Sequence, residues 1–214
     1  CRLCHLLDGT DPLHGISCRR RGRITPGFIL SVVGPISRRS AERGWLGADD
    51  VAPVPGLYAP RIDFGAMVSF RMERLARAAA RFAVQAGAEE RADLEAFVQR
   101  HADWLPDYAL FMALAEHHGW RDWCEWPDGQ SSRTPQALAA ARATHAERIA
   151  FWTFCQWCFF RQWQALRSHA HARGVHIVGD MPIFVAYQSA DVWARPELFE
   201  LDSRGRPTIV AGVP

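Results

Sequence analysis

An aspartate placed just after a short apolar segment is the residue whose type and position most favour chemistry. The segment Val175–Val178 is apolar and rich in β-branched residues, and it follows a glycine that ends a predicted helix, as in a parallel αβ unit. Asp180 comes directly after Gly179 at the end of this segment. Barrel and open-sheet enzymes bind substrate at the carboxyl ends of such strands. Asp180 is therefore a candidate for holding sugar hydroxyls or a developing positive charge; the alternative is that it caps the turn.

Asp191 and Trp193 form a second candidate pair, which combines a carboxylate with an aromatic ring. Ser189 precedes them and is suited to cap a short helix that contains both. A carboxylate and an indole on one short helix can bind a sugar ring by hydrogen bonding and stacking. The alternative, which is commoner for isolated residues of these types, is a helix-cap carboxylate and a core indole.

Two Cys-x-x-Cys pairs have the local spacing of zinc ligands. About 150 residues separate Cys4 from Cys155, which is too far for a compact zinc finger or ribbon. Cys155 and Cys158 also lie within the aromatic run 151–163, where a cysteine behaves as a small buried hydrophobe. The helical spacing of the aromatic residues in this run favours core packing over a ligand-stacking stripe. We expect no metal here.

Other catalytic patterns are missing from the sequence. His117-His118 and His169-x-His171 lack the i, i+4 spacing of a metal pair on a helix. A glycine-rich phosphate loop, a GxSxG elbow and an HExxH pattern are also absent. Nucleotide-binding, serine-hydrolase and zinc-protease functions therefore have no support.

The charge distribution does not by itself identify a nucleic-acid or membrane partner. All 25 basic residues are arginine, and the net charge is only +2. Residues 1–40 hold seven arginines against two aspartates, a local charge of +5, with a cluster at 19–23. A basic arm can bind nucleic acid, but a short arginine run is more often a solvated tail. We therefore expect no nucleic-acid partner. We also expect no membrane partner, since no apolar stretch is long enough for a span or a signal peptide.

The pattern of apolar residues and helix stops predicts a mainly helical region. Helices are expected at 68–85, 89–102 and from Asp103 to His118, each bounded by a cap or a glycine. Trp120 to Ser132 has the composition of a loop. Pro135 then begins a long helix that ends near Arg173, before Gly174.

The C-terminal residues carry a resemblance to a known family. The stretch from Val175 to Ala186, the motif from Ser189 to Phe199 and the segment from Gly205 to Pro214 resemble 4-α-glucanotransferase, which is the amylomaltase or disproportionating enzyme of glycoside hydrolase family 77. Two upstream stretches, Asp107–Leu114 and Phe159–Trp163, are similar to the same family. The similarity extends from about Ala41 to Pro214.

This resemblance implies a fold and a reaction. The fold class is α/β, a partial (β/α)8 TIM barrel of which this chain holds mostly a helical insertion plus the third barrel strand. The reaction transfers part of an α-1,4-glucan to the 4-hydroxyl of another sugar with retention, through a covalent glycosyl-enzyme, and such chemistry needs two carboxyl groups roughly 5–5.5 Å apart. The nucleophile aspartate and the acid/base glutamate are implied to lie beyond Pro214, so this chain holds no catalytic residue. Asp180 corresponds to the aspartate that helps to hold the donor sugar.

The resemblance also implies partners and domain limits. The implied partners are α-1,4-glucans, maltooligosaccharides and a glucose acceptor, the implied location is cytoplasmic, and no cofactor is implied. Residues 1–40 lack the expected barrel strand and sugar-binding loop, which we interpret as a reading-frame change upstream of about position 38 in a fragment of the gene. We therefore divide the chain into 1–40, a mainly helical 41–174, and 175–214 with the third strand and the start of the next subdomain. The alternative function is an inactive glucan-binding or structural remnant of the family.

Overall fold

A computed structural model of the chain describes residues 43–52, 64–178 and 185–209. These residues are mainly helical, and the one β-bridge among them pairs Leu201 with Pro207 in antiparallel orientation. They form two compact units. The first unit comprises 43–52, 64–101 and 153–178, and the second comprises 102–152 and 185–209. No helix within these ranges has the length and apolar character needed to cross a membrane.

The described ranges contain eight α-helices and two short 3-10 helices. The α-helices are α1 (Ala48–Val51), α2 (Phe64–Gln85), α3 (Ala88–Arg100), α4 (Leu105–His117), α5 (Asp128–Ser131), α6 (Pro135–Thr144), α7 (Ala146–His171) and α8 (Ala190–Ala194). The 3-10 helices are Trp123–Glu125 and Pro196–Leu198. The helices predicted at 68–85 and 89–102 are thus confirmed as α2 and α3. Glu90 accepts a hydrogen bond from the Gly87 backbone N–H at 3.3 Å, which caps α3 next to its predicted start at residue 89.

The core of the first unit is aromatic. Trp45, Phe82, Phe154 and Trp157 are buried, and their ring centroids lie 5.1–5.8 Å apart. The Trp157 indole donates to Asp93 Oδ2 at 3.2 Å, so its polar edge is paired at the margin of the core. Edge-to-face and tilted ring pairs of this kind add to the stabilisation from apolar burial.

Cys155 and Cys158 belong to this core. Both are buried on α7, and neither forms a disulfide. Burial away from water disfavours the thiolate and raises the pKa of Cys158 far above its usual value. The predicted core packing of this pair is confirmed, and the Cys158 thiol is unreactive because its charged form is suppressed. Cys1 and Cys4 lie outside the described residues.

Asp50, a buried carboxylate in α1, joins this helix to α2. Its Oδ2 accepts a hydrogen bond from the Gly47 backbone N–H at 2.9 Å, and its Oδ1 accepts one from Arg77 at 2.7 Å. Arg81 approaches at 3.3 Å, and the Asp50 carbonyl accepts a bond from Arg74 Nε. The Gly47 N–H, and after it the Arg77 guanidinium, hold the pKa of Asp50 below its usual range.

Asp50→Asn is expected to destabilise the protein near neutral pH and to matter little in acid. Because the folded-state pKa is lowered, the carboxylate contributes stability above its unfolded pKa and loses it as the pH falls through the folded value. We expect a loss of about 1–2 kcal/mol at pH 7, since the arginine partners are half exposed. Thermal unfolding at pH 7 and below pH 3 measures the difference. Asp49→Asn is the control, and an equal effect at both pH values would contradict this role.

The second unit is built around α4, which is buried over most of its length. Leu110, Met112 and Leu114 have almost no exposed surface. Its C-terminal end is tied to α7 by Glu116, whose carboxylate accepts two hydrogen bonds from Arg148 at 2.7 and 2.8 Å. α4 begins at Leu105 with Trp104 as its N-cap, so the predicted cap at Asp103 is one residue too early.

The long helix predicted from Pro135 to Arg173 is two helices. It is interrupted at His145, which separates α6 from α7 and has φ −108° and ψ 21°. Thr144 and His145 both have low helix propensity, so the helix is locally weak here. The His145 ring also lies 4.7 Å from the His117 ring, and this tertiary contact favours the break at His145. The predicted start is confirmed: the Thr134 hydroxyl accepts a hydrogen bond from the Ala137 N–H.

The segment predicted as the third barrel strand has no regular structure over 175–178, the part of it that is described. Gly174 adopts φ +70° and ends the preceding helical turn, as the sequence predicted. Val178 is 90% exposed and Val175 is 54% exposed. A strand requires hydrogen-bonded neighbours, and no other described segment pairs with this one, so its β-branched composition alone does not produce a strand.

Candidate functional site

Asp180 lies outside the described residues, and the structure shows the chain that follows it. The segment 185–195 belongs to the second unit and contains the other two predicted site residues. Asp191 and Trp193 both lie on α8. The elements that hold α8 therefore hold the chain on the carboxyl side of Asp180.

α8 begins at the predicted cap. The Ser189 Oγ accepts a hydrogen bond from the Val192 N–H at 3.3 Å, and Ser189 is itself buried. Asp191 lies in the first turn, where a negative charge interacts favourably with the helix N-terminus, and it is partly exposed. The short helix predicted from Ser189 is confirmed.

Trp193 is a core residue, with 0% of its surface exposed. Its ring lies 5.7 Å from Phe111 and 5.9 Å from Trp126, and the Arg133 guanidinium covers it at 4.1 Å. Its Nε1 donates to the Gln130 carbonyl at 3.0 Å. The indole has no face on which a sugar could stack, so the structure favours the core alternative for this residue.

Two further tryptophans fix neighbouring backbone through their indole N–H groups. Trp123 donates to the Tyr187 carbonyl at 3.1 Å, and its backbone N–H donates to the Gln188 side chain at 3.1 Å. Trp126 donates to the Arg121 carbonyl at 3.3 Å. We call Trp123, Trp126 and Trp193 the indole frame. The indole N–H groups of the frame donate to the backbone carbonyls of Gln130 and Tyr187. The frame therefore sets the path of the chain that leads into α8.

The turn at 202–206 packs directly on this frame. Gly205 adopts φ +75°, and a Cβ atom added there would lie 2.8 Å from the Trp123 ring. The Asp202 carboxylate accepts backbone hydrogen bonds from Arg204 and Arg206, which lower its pKa. Only glycine satisfies both the backbone conformation and the close approach to the indole.

Three histidines surround the C-terminal end of α4. The rings of His117 and His145 lie 4.7 Å apart, and those of His117 and His118 lie 4.9 Å apart. His118 Nε2 is 2.6 Å from Gln130 Oε1. Partial burial, and then the two neighbouring imidazoles, lower the pKa of His145, so its neutral form is favoured. Across the described residues, no group of three or more histidine, cysteine, aspartate and glutamate side chains has the arrangement of a metal site.

Sequence reasoning missed Trp123 and Trp126 of the indole frame because 120–132 has the composition of a loop. The segment instead contains the 3-10 helix Trp123–Glu125 and the helix α5. The available signal was the spacing of Trp120, Trp123 and Trp126 at every third residue. Three tryptophans so close together are more typical of a packed segment than of a solvated loop.

Comparison with known proteins decides the family. A sequence profile described as 4-alpha-glucanotransferase matches residues 24–214. The chain belongs to this family. A 4-alpha-glucanotransferase of Thermus thermophilus is 49% identical over 177 residues, which cover 83% of this chain and 35% of the relative. The relative of the same name from Synechocystis sp. is 37% identical, over 82% of this chain and 35% of its own length.

A solved structure supports the family at the level of the fold. An amylomaltase from Streptococcus agalactiae in complex with acarbose matches with a TM-score of 0.81 and 28% sequence identity, over 100% of this chain and 44% of that one. The fold class expected from the sequence, a mostly helical part of a (β/α)8-barrel protein, is confirmed by this likeness. The chain spans about a third of the length of the two relatives named above.

The family match also bears on the N-terminal segment. It begins at residue 24, inside the 1–40 stretch in which the sequence analysis found no family pattern. Residues 24–40 are therefore part of the match, although they lie outside the described structure. The reading-frame interpretation and the boundaries at 40 and 174 stay predictions.

Proposed function

We propose that this chain is part of a 4-α-glucanotransferase. The observation that carries the proposal is the family match over 24–214, which includes every residue of the predicted sugar-binding segment. The enzyme transfers a segment of a 1,4-α-D-glucan to the 4-hydroxyl of a glucose or glucan acceptor, and the α configuration is retained.

Retention of the α configuration requires two carboxyl groups for the main chemical steps. One attacks the anomeric carbon to form a glycosyl-enzyme, and the other protonates the leaving oxygen and then deprotonates the acceptor hydroxyl. On the family resemblance, we place both groups in sequence beyond Pro214, so no residue of this chain is proposed for either role. Transfer exceeds hydrolysis only where an acceptor sugar reaches the intermediate before water.

The contribution proposed for this chain is Asp180, which holds hydroxyls of the donor sugar close to the reacting bond. The indole frame supports this role because it anchors the backbone at Tyr187 and at α8, a few residues further along. Asp191 is proposed as a secondary polar contact, and Trp193 as a residue that positions α8 from the core.

The proposed partners are α-1,4-glucans, maltooligosaccharides and a glucose acceptor. The Streptococcus agalactiae relative is described in complex with acarbose, which supports an oligosaccharide ligand for this family. We propose a cytoplasmic enzyme that needs no cofactor and has neither a nucleic-acid nor a membrane partner.

The test is a chimeric enzyme. The matched 177-residue stretch of the Thermus thermophilus relative is replaced by that of this chain, so that the remaining two thirds of the enzyme are supplied. Incubation with maltotriose should release glucose and form products longer than maltotriose, which hydrolysis alone does not form. The same relative with the stretch deleted is the control. A folded chimera that forms no longer product would favour the inactive remnant.

A further inference from the structure

Trp120, which follows the C-terminal end of α4, combines an exposed indole with an uncommon backbone conformation. Its φ is +61°, in the left-handed region that bulky residues rarely adopt, and 39% of its surface is exposed. Gly119 before it has φ +63°, so two consecutive residues are left-handed. An outlier of this kind is a reason to look for a function.

The backbone around Trp120 is held firmly. The Trp120 N–H donates to the Ala115 carbonyl at 2.7 Å, and the Gly119 N–H donates to the Glu116 carbonyl at 3.0 Å. On the other side, Arg121 Nε donates to the His118 carbonyl at 3.1 Å. These bonds close the end of α4 on both sides of the indole, so the ring projects from a rigid turn.

Arg133 provides a comparison within the same unit. It is the other non-glycine residue with positive φ in the described ranges, at +59°. Its guanidinium packs on the buried Trp193 ring and donates to Asp107 at 2.8 Å, so tertiary packing accounts for its conformation. Trp120 is 39% exposed instead, and its conformation is held by the backbone hydrogen bond to Ala115 rather than by packing of the indole.

We propose that Trp120 is a stacking platform for an α-1,4-glucan chain. An exposed indole on a fixed backbone offers a large apolar face at low entropic cost, which suits the apolar face of a pyranose ring. Arg121 and Asp122 follow it in the chain and are exposed, so the next two residues carry a guanidinium donor and a carboxylate acceptor that suit sugar hydroxyls. This inference rests on the proposed function, which supplies the glucan as ligand.

Affinity electrophoresis of the full 214-residue chain tests the proposal. Soluble amylose in a native gel should retard the chain, and Trp120→Gly should weaken this retardation, with an apparent Kd about tenfold higher. Glycine is chosen because it adopts the left-handed conformation without strain, so the variant should keep the turn at the end of α4. Trp120→Phe keeps an aromatic face and should keep most of the retardation. Leu198→Ala, which removes another exposed apolar side chain of the same unit, should change nothing.

A second measurement needs no variant. N-bromosuccinimide oxidises accessible indoles, and peptide mass mapping locates the product; maltoheptaose should slow oxidation at Trp120. Equal retardation of Trp120→Gly and the parent, no retardation of the parent, or unchanged oxidation of Trp120 with maltoheptaose would each overturn the proposal. The transferase proposal is judged separately from the products of the chimera, so an active chimera with an unretarded chain would overturn only the role of Trp120.

Discussion

Replacing Asp180 with asparagine in the chimera should lower kcat/KM for maltotriose by about 10- to 100-fold, since a hydrogen bond to a charged group contributes about 1.5–3 kcal/mol. Asparagine keeps the size of the side chain and one acceptor oxygen. It loses the negative charge, and one of its two terminal groups becomes a donor. The measurement is the initial rate of glucose release at several maltotriose concentrations, with thermal unfolding of the same sample.

The unfolding measurement separates the two interpretations of Asp180. If the carboxylate only caps a turn, the variant should lose thermal stability and keep its kcat/KM once folded. If it holds the donor sugar, kcat/KM should fall while the midpoint temperature stays close to that of the parent. Asp202→Asn is a matched control, because Asp202 is an aspartate whose carboxylate does cap a turn in the structure. A change in kcat/KM below about threefold, or less than 0.7 kcal/mol, would contradict substrate contact at Asp180.

Replacing Trp193 with alanine should produce the largest loss of stability. The indole is completely buried against Phe111 and Trp126, and truncation of such a ring costs about 3–5 kcal/mol. The substitution also leaves the Gln130 carbonyl without its donor and uncovers the Arg133 guanidinium. For a chain of this length, we expect the midpoint of thermal unfolding to fall by roughly 10 °C.

Near-ultraviolet circular dichroism during heating is the appropriate measurement, because it reports on packed aromatic rings. Trp193→Phe keeps much of the apolar volume but loses the N–H donor, so its loss should be smaller than that of Trp193→Ala. Leu198→Ala, at an exposed position of the same unit, should stay within about 0.5 kcal/mol of the parent. Equal unfolding of Trp193→Ala and the parent would show that the indole is not part of the core.

Local features of the sequence account for most of the helix boundaries. Gly119 and Gly174 end helical turns with positive φ and the Ser189 hydroxyl caps α8, as predicted, and the Thr134 hydroxyl caps α6 directly before its predicted start at Pro135. A cap or a glycine stop acts on groups within four residues, so its effect is present in the sequence itself. The family was also recognisable from the sequence, because the residues from Val175 to Pro214 carry its motifs in order.

Only the tertiary structure decided the role of residues with two possible environments. Trp193 was a candidate for stacking on a sugar ring, but it is a buried core residue. Trp120 lies in a segment predicted to be a loop, and it is an exposed residue in a hydrogen-bonded turn with positive φ. His145 breaks a helix that the local pattern continued, and the apolar residues at 175–178 are exposed rather than paired in a strand. The physical reason is that burial, ring contacts and strand pairing depend on partners far away in the sequence, whereas caps and glycine stops do not.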